Sequence, residues 1–316
     1  DYNTGLILSQ IAQHATEVAA IASAKLTGFG RKNDADQAAV DAMRRSFQTA
    51  PFSGKVVIGE GEIDEAPMLY IGEEVGTGRG DEIDIALDPL EGTTLTAKAM
   101  ANALAVMAFA PRGGLLYAPD TYMDKLAVGP GYNQGVVDID APAGDNARAV
   151  AKAKGVNVAD VGVCVLDRPR HAAIIESLRG VGARVHLISD GDVAGVIACT
   201  DPSTGIDMYV GQGGAPEGVL AAAALKCVGG QMQARLVFRN DDERARAERT
   251  GVKDFKRRYD LNDLASTHAI FAATGVTNGS MLKGVNAVNG SIETHSLVMN
   301  SATGMVAKIE IKQPKR

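Results

Sequence analysis

The sequence predicts an α/β protein, with an α+β arrangement in its N-terminal half and an α/β arrangement in its C-terminal half. Three observations support this class. Two long helical patterns open the chain, carboxylates repeatedly follow strand-like segments, and strand and helix patterns alternate regularly beyond residue 160. The 316 residues, 46% of them hydrophobic and 22% charged, are typical of a globular protein large enough for two domains.

The N-terminal half is predicted to combine two helices with separate strands. Apolar residues recur at helical spacing over residues 4–27, and Gly28 ends this pattern. A second helix is predicted from Asp34 to about residue 48, where Asp34 and Gln37 have the spacing of a capping box. A short helix is expected over residues 67–74, and strands over residues 55–60, 82–88, 103–110 and 125–129, with Pro89 ending the second strand.

The C-terminal half is predicted to form a mostly parallel sheet that is covered on both faces. Strand patterns at residues 161–166, 183–189, 206–210 and 231–238 alternate with helical patterns at residues 170–179, 192–199 and 216–227. Residues 239–260 are dense in charge and are interpreted as a solvated connector. Three further strands, at about residues 268–273, 292–298 and 305–312, are expected to close the chain.

The segment 129–146, with its Gly, Pro and Asp residues, is the best candidate for a domain junction. We therefore predict an N-terminal α+β domain over residues 1–155 and a C-terminal α/β domain over residues 156–316. No internal repeat or low-complexity tract interrupts either part.

Charge and composition disfavour several kinds of partner. The net charge of -6 argues against a general role on nucleic acid or on an anionic membrane. No apolar run approaches the roughly 18–20 residues that span a bilayer, and no secretory signal is expected at the N-terminus. The three cysteines, Cys164, Cys199 and Cys227, each lie in an apolar stretch and are interpreted as buried, reduced thiols of a cytoplasmic protein.

Acidic residues follow strands beside glycines, at Glu60 and Glu62 and again at Asp88 and Glu91. Carboxylates that converge raise one another's pKa, and a divalent cation relieves this repulsion. Oxygen ligands favour Mg²⁺ or Mn²⁺, and the five histidines show no paired metal-ligand spacing. Exposed surface charge is the alternative, and it stays open for Glu62, Asp64 and Glu65.

The segment after Glu91 is suited to a phosphate. Gly92, Thr93 and Thr94 would supply backbone N–H groups where a helix could begin, with the hydroxyl of Thr93 beside them. The alternative is a turn with an Asp cap. The glycines at residues 211–214 lack the spacing of a dinucleotide fingerprint, and no Gly-Lys-Ser or Gly-Lys-Thr of a P-loop occurs.

These motifs carry a family resemblance. The hexapeptide at residues 88–93, Asp-Pro-Leu-Glu-Gly-Thr, resembles the D-P-[IL]-[DE]-G-[ST] signature of lithium-sensitive, Mg²⁺-dependent phosphatases. Together with the upstream residues 59–69, it is similar to class II fructose-1,6-bisphosphatase. The resemblance runs from about residue 28 to the last strands, through segments 102–106, 118–123, 168–171, 190–193 and 213–218.

The resemblance implies a fold, an activity and a set of site residues. The fold would be the five-layer α-β-α-β-α sugar phosphatase arrangement, with metal bound by the N-terminal domain and substrate by the C-terminal domain. Two or three Mg²⁺ or Mn²⁺ ions would be bound by Asp36, Glu60, Asp88, Glu91 and Glu217. The sugar phosphate would be contacted by Glu91, Gly92, Thr93, Tyr122, Arg168, Pro169, Arg170, Asp190, Gly191, Asp192 and Gly214.

The catalytic residues expected from this resemblance are Thr93, Glu60 and Lys32. Thr93, polarised by a carboxylate such as Glu60, would orient or deprotonate the attacking water; a covalent phosphothreonine is the alternative. Lys32 alternatively only balances nearby acids.

Several substrate contacts have structural alternatives of their own. Asp190 alternatively caps a helix, and Tyr122 alternatively fills the core. Arg168 and Arg170 alternatively form surface ion pairs.

The expected activity is hydrolysis of the 1-phosphate of fructose 1,6-bisphosphate to fructose 6-phosphate and inorganic phosphate, a step of gluconeogenesis. Sedoheptulose 1,7-bisphosphate as an additional or real substrate, an inositol phosphate, and a non-catalytic sugar-phosphate sensor are the alternatives. The family forms dimers or tetramers, and nothing in the sequence chooses between them. The substrate is a small sugar bisphosphate, and inhibition by lithium is expected.

Overall fold

The computed structural model describes residues 2–62 and 64–315. The chain divides into two compact units, one formed by Asp1–Leu116 together with Ser266–Arg316 and the other by Tyr117–Ala265. Each unit contains one mixed sheet with helices, which confirms the α/β class. The units differ from the predicted domains, because the position 155/156 falls inside the second unit and the last strands return to the first.

The first unit begins with two helices, α1 (Tyr2–Ala24) and α2 (Lys32–Ser46). Four strands and one short helix follow: β1 (Phe52–Ile58), β2 (Glu74–Val75), β3 (Asp81–Glu91), α3 (Thr93–Ala97) and β4 (Leu104–Pro111). The predicted capping box is wrong, because α2 begins two residues before Asp34. Asp34 instead accepts a hydrogen bond from Arg31 Nε at 2.6 Å, and Gln37 donates to Asp41 at 2.8 Å.

The short helix predicted over residues 67–74 is also absent from this segment, which consists of turns and bends and ends in β2. Leu69 has a left-handed backbone, with φ of 53°, which interrupts any helix at that point. The Leu69 carbonyl instead accepts a hydrogen bond from the Glu60 backbone N–H at 2.9 Å. The segment therefore closes over the loop that follows β1.

The second unit contains most of the predicted alternation. Its elements are β5 (Tyr122–Val128), α4 (Ala143–Lys154), β6 (Gly162–Leu166), α5 (Ala172–Gly180), β7 (Arg184–Ile188), α6 (Asp192–Ala198), β8 (Met208–Gly214), α7 (Ala215–Val228), β9 (Gln231–Val237), α8 (Asp241–Arg249), β10 (Tyr259–Asp260) and α9 (Leu261–Leu264). The charged segment 239–260 is therefore partly helical, because Asn240 caps α8 by accepting a hydrogen bond from the Glu243 N–H.

The sheet of the second unit has the strand order β10-β9-β5-β8-β6-β7. Only β6 pairs in parallel, with β7 and β8, while β5 is antiparallel to both β8 and β9. The prediction of a mostly parallel sheet is wrong because β5, which precedes the alternating segment, inserts between two of its strands.

The chain closes with β11 (Ile270–Gly275), β12 (Asn286–Val288), β13 (Ser291–Asn300) and β14 (Met305–Pro314). These strands complete an eight-stranded sheet in the order β12-β13-β11-β4-β3-β1-β2, with β14 paired to β13. A chain of buried hydroxyls joins α1 to this sheet, from Thr16 to Thr274 at 2.9 Å and from Thr274 to Ser296 at 2.7 Å.

The core of the first unit is built from small residues on α1 and from aromatic rings beneath it. Ala12, Ala15 and Ala19 are fully buried and let the helix approach the sheet closely. Phe52 packs edge-on against Phe47 and Phe109, with ring centroids 5.9 and 5.5 Å apart. No helix in the described part of the chain has the length and apolar content needed to cross a membrane.

Candidate active site

Asp36 and Glu60 form a carboxylate pair in the first unit. Asp36 lies on α2, one turn after the exposed Lys32, and Glu60 lies two residues beyond β1. Burial raises the pKa of Asp36 above its usual range. Burial, and then repulsion from Asp36, raises the pKa of Glu60 to about 7. A carboxyl group with this pKa is suited to accept and release a proton near neutral pH.

A β-bulge places Asp88 and Glu91 on the same face of the sheet. Asp88 lies opposite Val106 on β4, and Glu91 lies opposite Leu104. Two residues of β3, Pro89 and Leu90, therefore lie between these pairs where β4 has one, Ala105. Val106 and Leu104 share a face because they are two residues apart, and directly opposed residues point to the same side. The strand thus continues through Pro89, contrary to prediction, and the bulge aligns both carboxylates.

Glu60 and Asp88 lie at the same end of two neighbouring strands. β1 and β3 are parallel, and Ile58 is level with Ala86, so both strands carry their acids at the same end. Glu91 is 5% exposed, while Asp88 and Glu60 are half-buried. Among residues 2–62 and 64–315, however, no three Asp, Glu, His or Cys side chains lie close enough together to hold a metal ion.

The predicted phosphate loop begins a helix, as expected. Gly92 has a left-handed backbone, with φ of 91°, and is the residue before α3, which starts at Thr93. Gly92 makes this turn possible because a side chain at that φ would be strained. Thr93 and Thr94 are half-buried, and within the described residues no hydrogen bond joins Thr93 to Glu60.

In the second unit, Arg168 and Arg170 flank Pro169 at the end of β6. Arg168 donates to the Ser189 carbonyl at 2.5 Å and lies 3.8 Å from Asp190. Arg170 donates twice to the Gln212 carbonyl, at 3.2 and 2.7 Å, and its guanidinium lies 5.2 Å from the centre of the Tyr122 ring. Backbone carbonyls therefore hold both guanidinium groups in place, and Arg168 in addition forms a long ion pair with Asp190.

His171 fixes the turn that carries these arginines. Its Nε2 accepts a hydrogen bond from the Gln212 N–H at 2.8 Å, so Nδ1 carries the proton and donates to the Leu166 carbonyl at 2.8 Å. Burial lowers the pKa of His171 and keeps the ring neutral. The imidazole thus links the end of β6 to β8.

Gly191 precedes α6 with a left-handed backbone, φ of 85°, and its N–H donates to the Asp190 carboxylate at 2.9 Å. Asp190 is therefore not the N-cap of α6, which is Gly191. Asp192, the first residue of α6, is 8% exposed and accepts a hydrogen bond from the ammonium of Lys125 at 2.5 Å. Lys125 lies on β5 and is itself 2% exposed.

Glu217 lies over the glycines between β8 and α7. The helix begins at Ala215, so Pro216 occupies its second position and Glu217 its third. A methyl group at Gly214 would collide with the Glu217 carboxylate, and one at Gly213 would collide with that of Asp192. Glu217 Oε2 is buried and has no hydrogen-bond partner among the described residues, and burial followed by repulsion from Asp192 raises the pKa of Glu217.

Comparison with known proteins identifies the family. A family model described as bacterial fructose-1,6-bisphosphatase, glpX-encoded, matches residues 7–313. The chain belongs to this family. The fructose-1,6-bisphosphatase 1 class 2 of Escherichia coli strain K12 is 45% identical over 309 residues, which cover 93% of this chain and 91% of the relative. The class 2 fructose-1,6-bisphosphatases of Escherichia coli O6:H1 and Shigella flexneri match with the same identity and coverage.

The resemblance expected from the motifs is thereby confirmed over nearly the whole chain.

Sequence reasoning did not identify two residues that organise the second unit. Lys125 and His171 are both buried and both fix groups in the predicted substrate set. A lysine in the middle of β5, directly before the apolar residues Leu126, Ala127 and Val128, was the available signal, because a buried ammonium requires an acidic partner. For His171 the only signal was its position directly after Arg170.

Proposed function

We propose that this chain is a divalent-metal-dependent phosphatase that hydrolyses the 1-phosphate of fructose 1,6-bisphosphate, giving fructose 6-phosphate and inorganic phosphate. The observation that carries this proposal is the family match over residues 7–313, supported by 45% identity to class 2 fructose-1,6-bisphosphatases. We assign the activity to gluconeogenesis.

The donor chemistry fits Mg²⁺ or Mn²⁺. Two or three ions would be held by oxygen ligands alone, from Asp36, Glu60, Asp88, Glu91 and Glu217. The raised pKa of Glu60 and the buried, unpartnered Oε2 of Glu217 both indicate carboxylates whose charge the described residues do not fully compensate. When bound, such ions neutralise the phosphoryl oxygens and stabilise the leaving alkoxide.

The chain's own residues would divide the remaining tasks in the first unit. The hydroxyl of Thr93 orients the attacking water, and we propose Glu60 as the acceptor of its proton. Burial and the charge of Asp36 raise the pKa of the Glu60 carboxyl to about 7 in the metal-free protein, which favours proton uptake. Glu91 and Gly92 contact the sugar phosphate beside Thr93, and Lys32 places a positive charge one turn from Asp36.

The second unit would recognise the sugar and its other phosphate. Arg168 and Arg170, with Pro169 between them, present guanidinium groups to a phosphate, and Tyr122 supplies a ring beside Arg170. The remaining proposed contacts are Asp190, Gly191, Asp192 and Gly214, in which the two carboxylates accept hydrogen bonds from sugar hydroxyls.

The test is a phosphate-release assay with Mg²⁺ or Mn²⁺ over fructose 1,6-bisphosphate, sedoheptulose 1,7-bisphosphate and an inositol phosphate. We expect the highest kcat/KM with fructose 1,6-bisphosphate, reversible loss of activity with chelator, and inhibition by lithium. Asp88→Asn should remove metal-supported turnover while the circular dichroism spectrum stays that of the wild type. Absence of phosphate release from every substrate would contradict an enzymatic function and favour a sensor.

We further propose that the chain forms a homodimer or homotetramer and works in the cytoplasm. The resemblance supports the assembly, and the three buried, free cysteines suit a reducing compartment. Light scattering coupled to size-exclusion chromatography distinguishes a dimer or tetramer from a monomer. A monomeric protein would contradict the proposed assembly.

A further inference from the structure

Two guanidinium groups approach the same aromatic ring in the second unit. The Cζ of Arg170 lies 5.2 Å from the centre of the Tyr122 ring, and that of Arg239 lies 4.4 Å from it. Each cation is attracted by the ring, but the two cations repel each other. An anion placed beside the ring would be attracted to both.

Arg239 is fixed from behind by a buried acid. Its Nε and Nη2 donate to Glu243 Oε1 at 2.8 and 2.6 Å, and its backbone N–H donates to Oε2 at 2.8 Å. The Glu243 side chain is 4% exposed, while that of Arg239 is 58% exposed. The guanidinium is thus held at one edge and open to solvent at another, so binding an anion costs little further ordering.

Glu243 is itself held by the start of α8. Its backbone N–H donates to the Asn240 side chain at 2.9 Å, and the hydrogen bond from Arg239 lowers the pKa of its carboxyl group. The segment that positions Arg239 is therefore a capped helix start and not a loosely solvated connector.

No acid among the described residues is hydrogen-bonded to Arg170. Its Nε and Nη2 both donate to the neutral carbonyl of Gln212. Among the described residues, the acid that is hydrogen-bonded to Arg239 is Glu243, and the charge of Asp120 acts on it more weakly. A phosphate group that carries two negative charges would complement this pair, and guanidinium groups bind phosphate through parallel N–H donors.

We propose that Arg239 is a second phosphate-binding residue, which acts with Arg170 beside Tyr122 to hold the phosphate of the sugar bisphosphate that is not cleaved. This inference rests on the proposed function, in which Arg170 contacts that substrate. It assigns a substrate contact to the segment after β9, where the sequence indicated only solvated charge.

Arg239→Ala tests the proposal, and Arg257→Ala provides a matched control. Arg257 also lies over a tyrosine ring, 4.6 Å from the centre of Tyr259, and also pairs with an acid, Asp263, at 2.9 Å. We expect Arg239→Ala to raise KM for fructose 1,6-bisphosphate about tenfold or more with kcat changed less than about threefold, and Arg257→Ala to leave both unchanged.

Direct binding provides a readout that a purely structural role would not move. Fructose 6-phosphate retains the uncleaved phosphate, so its affinity, measured by calorimetry, should fall about tenfold in Arg239→Ala. Thermal unfolding establishes that the variant is folded, and Arg239→Gln serves in its place if it is not. Wild-type KM and wild-type affinity for fructose 6-phosphate in the folded variant would overturn the inference.

The same experiment separates the two proposals. If the wild-type protein releases no phosphate from fructose 1,6-bisphosphate, the proposed function fails, and absent binding of fructose 6-phosphate would then overturn the inference as well. If the wild type is active and Arg239→Ala behaves like Arg257→Ala, only the inference fails.

Discussion

The acidic residues proposed to act in the first unit differ in their partners from two buried acids of the second unit. In the first, burial raises the pKa values of Asp36 and Glu60, and repulsion from Asp36 raises that of Glu60 further. No cation or hydrogen-bond donor of the described residues lowers either one. In the second, Asp192 is paired with Lys125 and Glu243 with Arg239. The first unit pairs other buried acids with cations, as Glu73 with Arg44 at 2.7 Å, so the difference belongs to Asp36 and Glu60 in particular. We propose that these two leave negative charge for a divalent ion, while Asp192 and Glu243 hold cations in place.

On the basis of this contrast we propose that the chemical step belongs to the first unit and substrate recognition to the second. Glu217 is the exception, because it belongs to the second unit and yet has a raised pKa and an unpartnered buried oxygen. It is also the one residue of the second unit that we propose as a metal ligand, and it shares its raised pKa with the proposed ligands Asp36 and Glu60. Three of the proposed metal ligands, Asp36, Glu60 and Glu217, thus have raised pKa values. Asp192 and Glu243, which position other groups, are each paired with a cation.

The largest effect is expected from Thr93→Ala. Removing the hydroxyl that orients the attacking water should lower kcat on the order of 10²- to 10³-fold with a much smaller change in KM. Steady-state kinetics of phosphate release measure both constants. Thr94→Ala, one residue along α3, should be close to wild type, and Thr93→Ser should restore part of the rate. A wild-type kcat in Thr93→Ala would remove the residue from the chemical step.

Lys125→Met tests whether the second unit depends on its buried ion pair. Asp192 would be left buried without its cation, so the free energy of unfolding should fall by about 3 kcal/mol. Urea unfolding measures this change. Lys226→Met is the control, since Lys226 is only half-buried and donates to the neutral groups Asn262 and the Ala265 carbonyl. Equal losses of unfolding free energy in the two variants would show that the ion pair between Lys125 and Asp192 does not stabilise the second unit more than an ordinary lysine contact.

Glu60→Gln tests the opposite property of the first unit, in metal-free protein. The folded-state pKa of Glu60, about 7, lies above its usual value of 4.5, so the folded state favours the protonated carboxyl. The wild type should therefore lose stability as the pH rises from 4.5 through 7, whereas a neutral glutamine avoids this loss.

The variant should accordingly exceed the wild type in free energy of unfolding by about 3 kcal/mol at pH 8 and match it near pH 4. Denaturant titrations at the two pH values, with chelator present, measure the difference. A variant that is less stable than wild type at pH 8 would mean that the Glu60 charge is already compensated.

The smallest effect is expected from Arg170→Ala, which should raise KM about tenfold and leave kcat nearly unchanged, because a charged hydrogen bond to substrate is lost before and during reaction alike. Arg179→Ala, on the exposed last turn of α5, is the control. An unchanged KM would show that Arg170 does not contact the substrate. A loss of kcat as large as that of Thr93→Ala would contradict the proposal that the second unit serves recognition and not the chemical step.

Local pattern predicted the elements of this fold better than their arrangement. The strands and helices from residue 161 to residue 238 overlap the predicted ones, because each is decided by neighbouring residues, although β8 runs to Gly214 and not to residue 210 as predicted. The insertion of β5 between β8 and β9, and the return of the last strands to the first unit, depend on pairing between distant segments. No local pattern reports such pairing, so the parallel sheet and the domain boundary were not predictable in this way.

The site shows the same limit. The acids and glycines of residues 88–93 indicated a phosphate and metal loop, but the bulge that places Asp88 and Glu91 on one face depends on the register with β4. Lys125 and Asp192 are 67 residues apart, and their ion pair exists only once β5 and α6 have packed. The sequence therefore predicted which residue types belong to the candidate site, but it did not predict which residues contact one another there.

The account depends most on Asp36 and Glu60 being a carboxylate pair that a divalent ion neutralises, and proton release on Mn²⁺ binding measures this directly. A carboxyl group with a pKa of about 7 is about half protonated at pH 7, so binding should release about half a proton from Glu60. Calorimetry in two buffers of different ionisation enthalpy gives that number. The account predicts that this release disappears at pH 9 and in Glu60→Gln, which should also bind Mn²⁺ more weakly. Wild-type affinity and wild-type proton release in Glu60→Gln would contradict it.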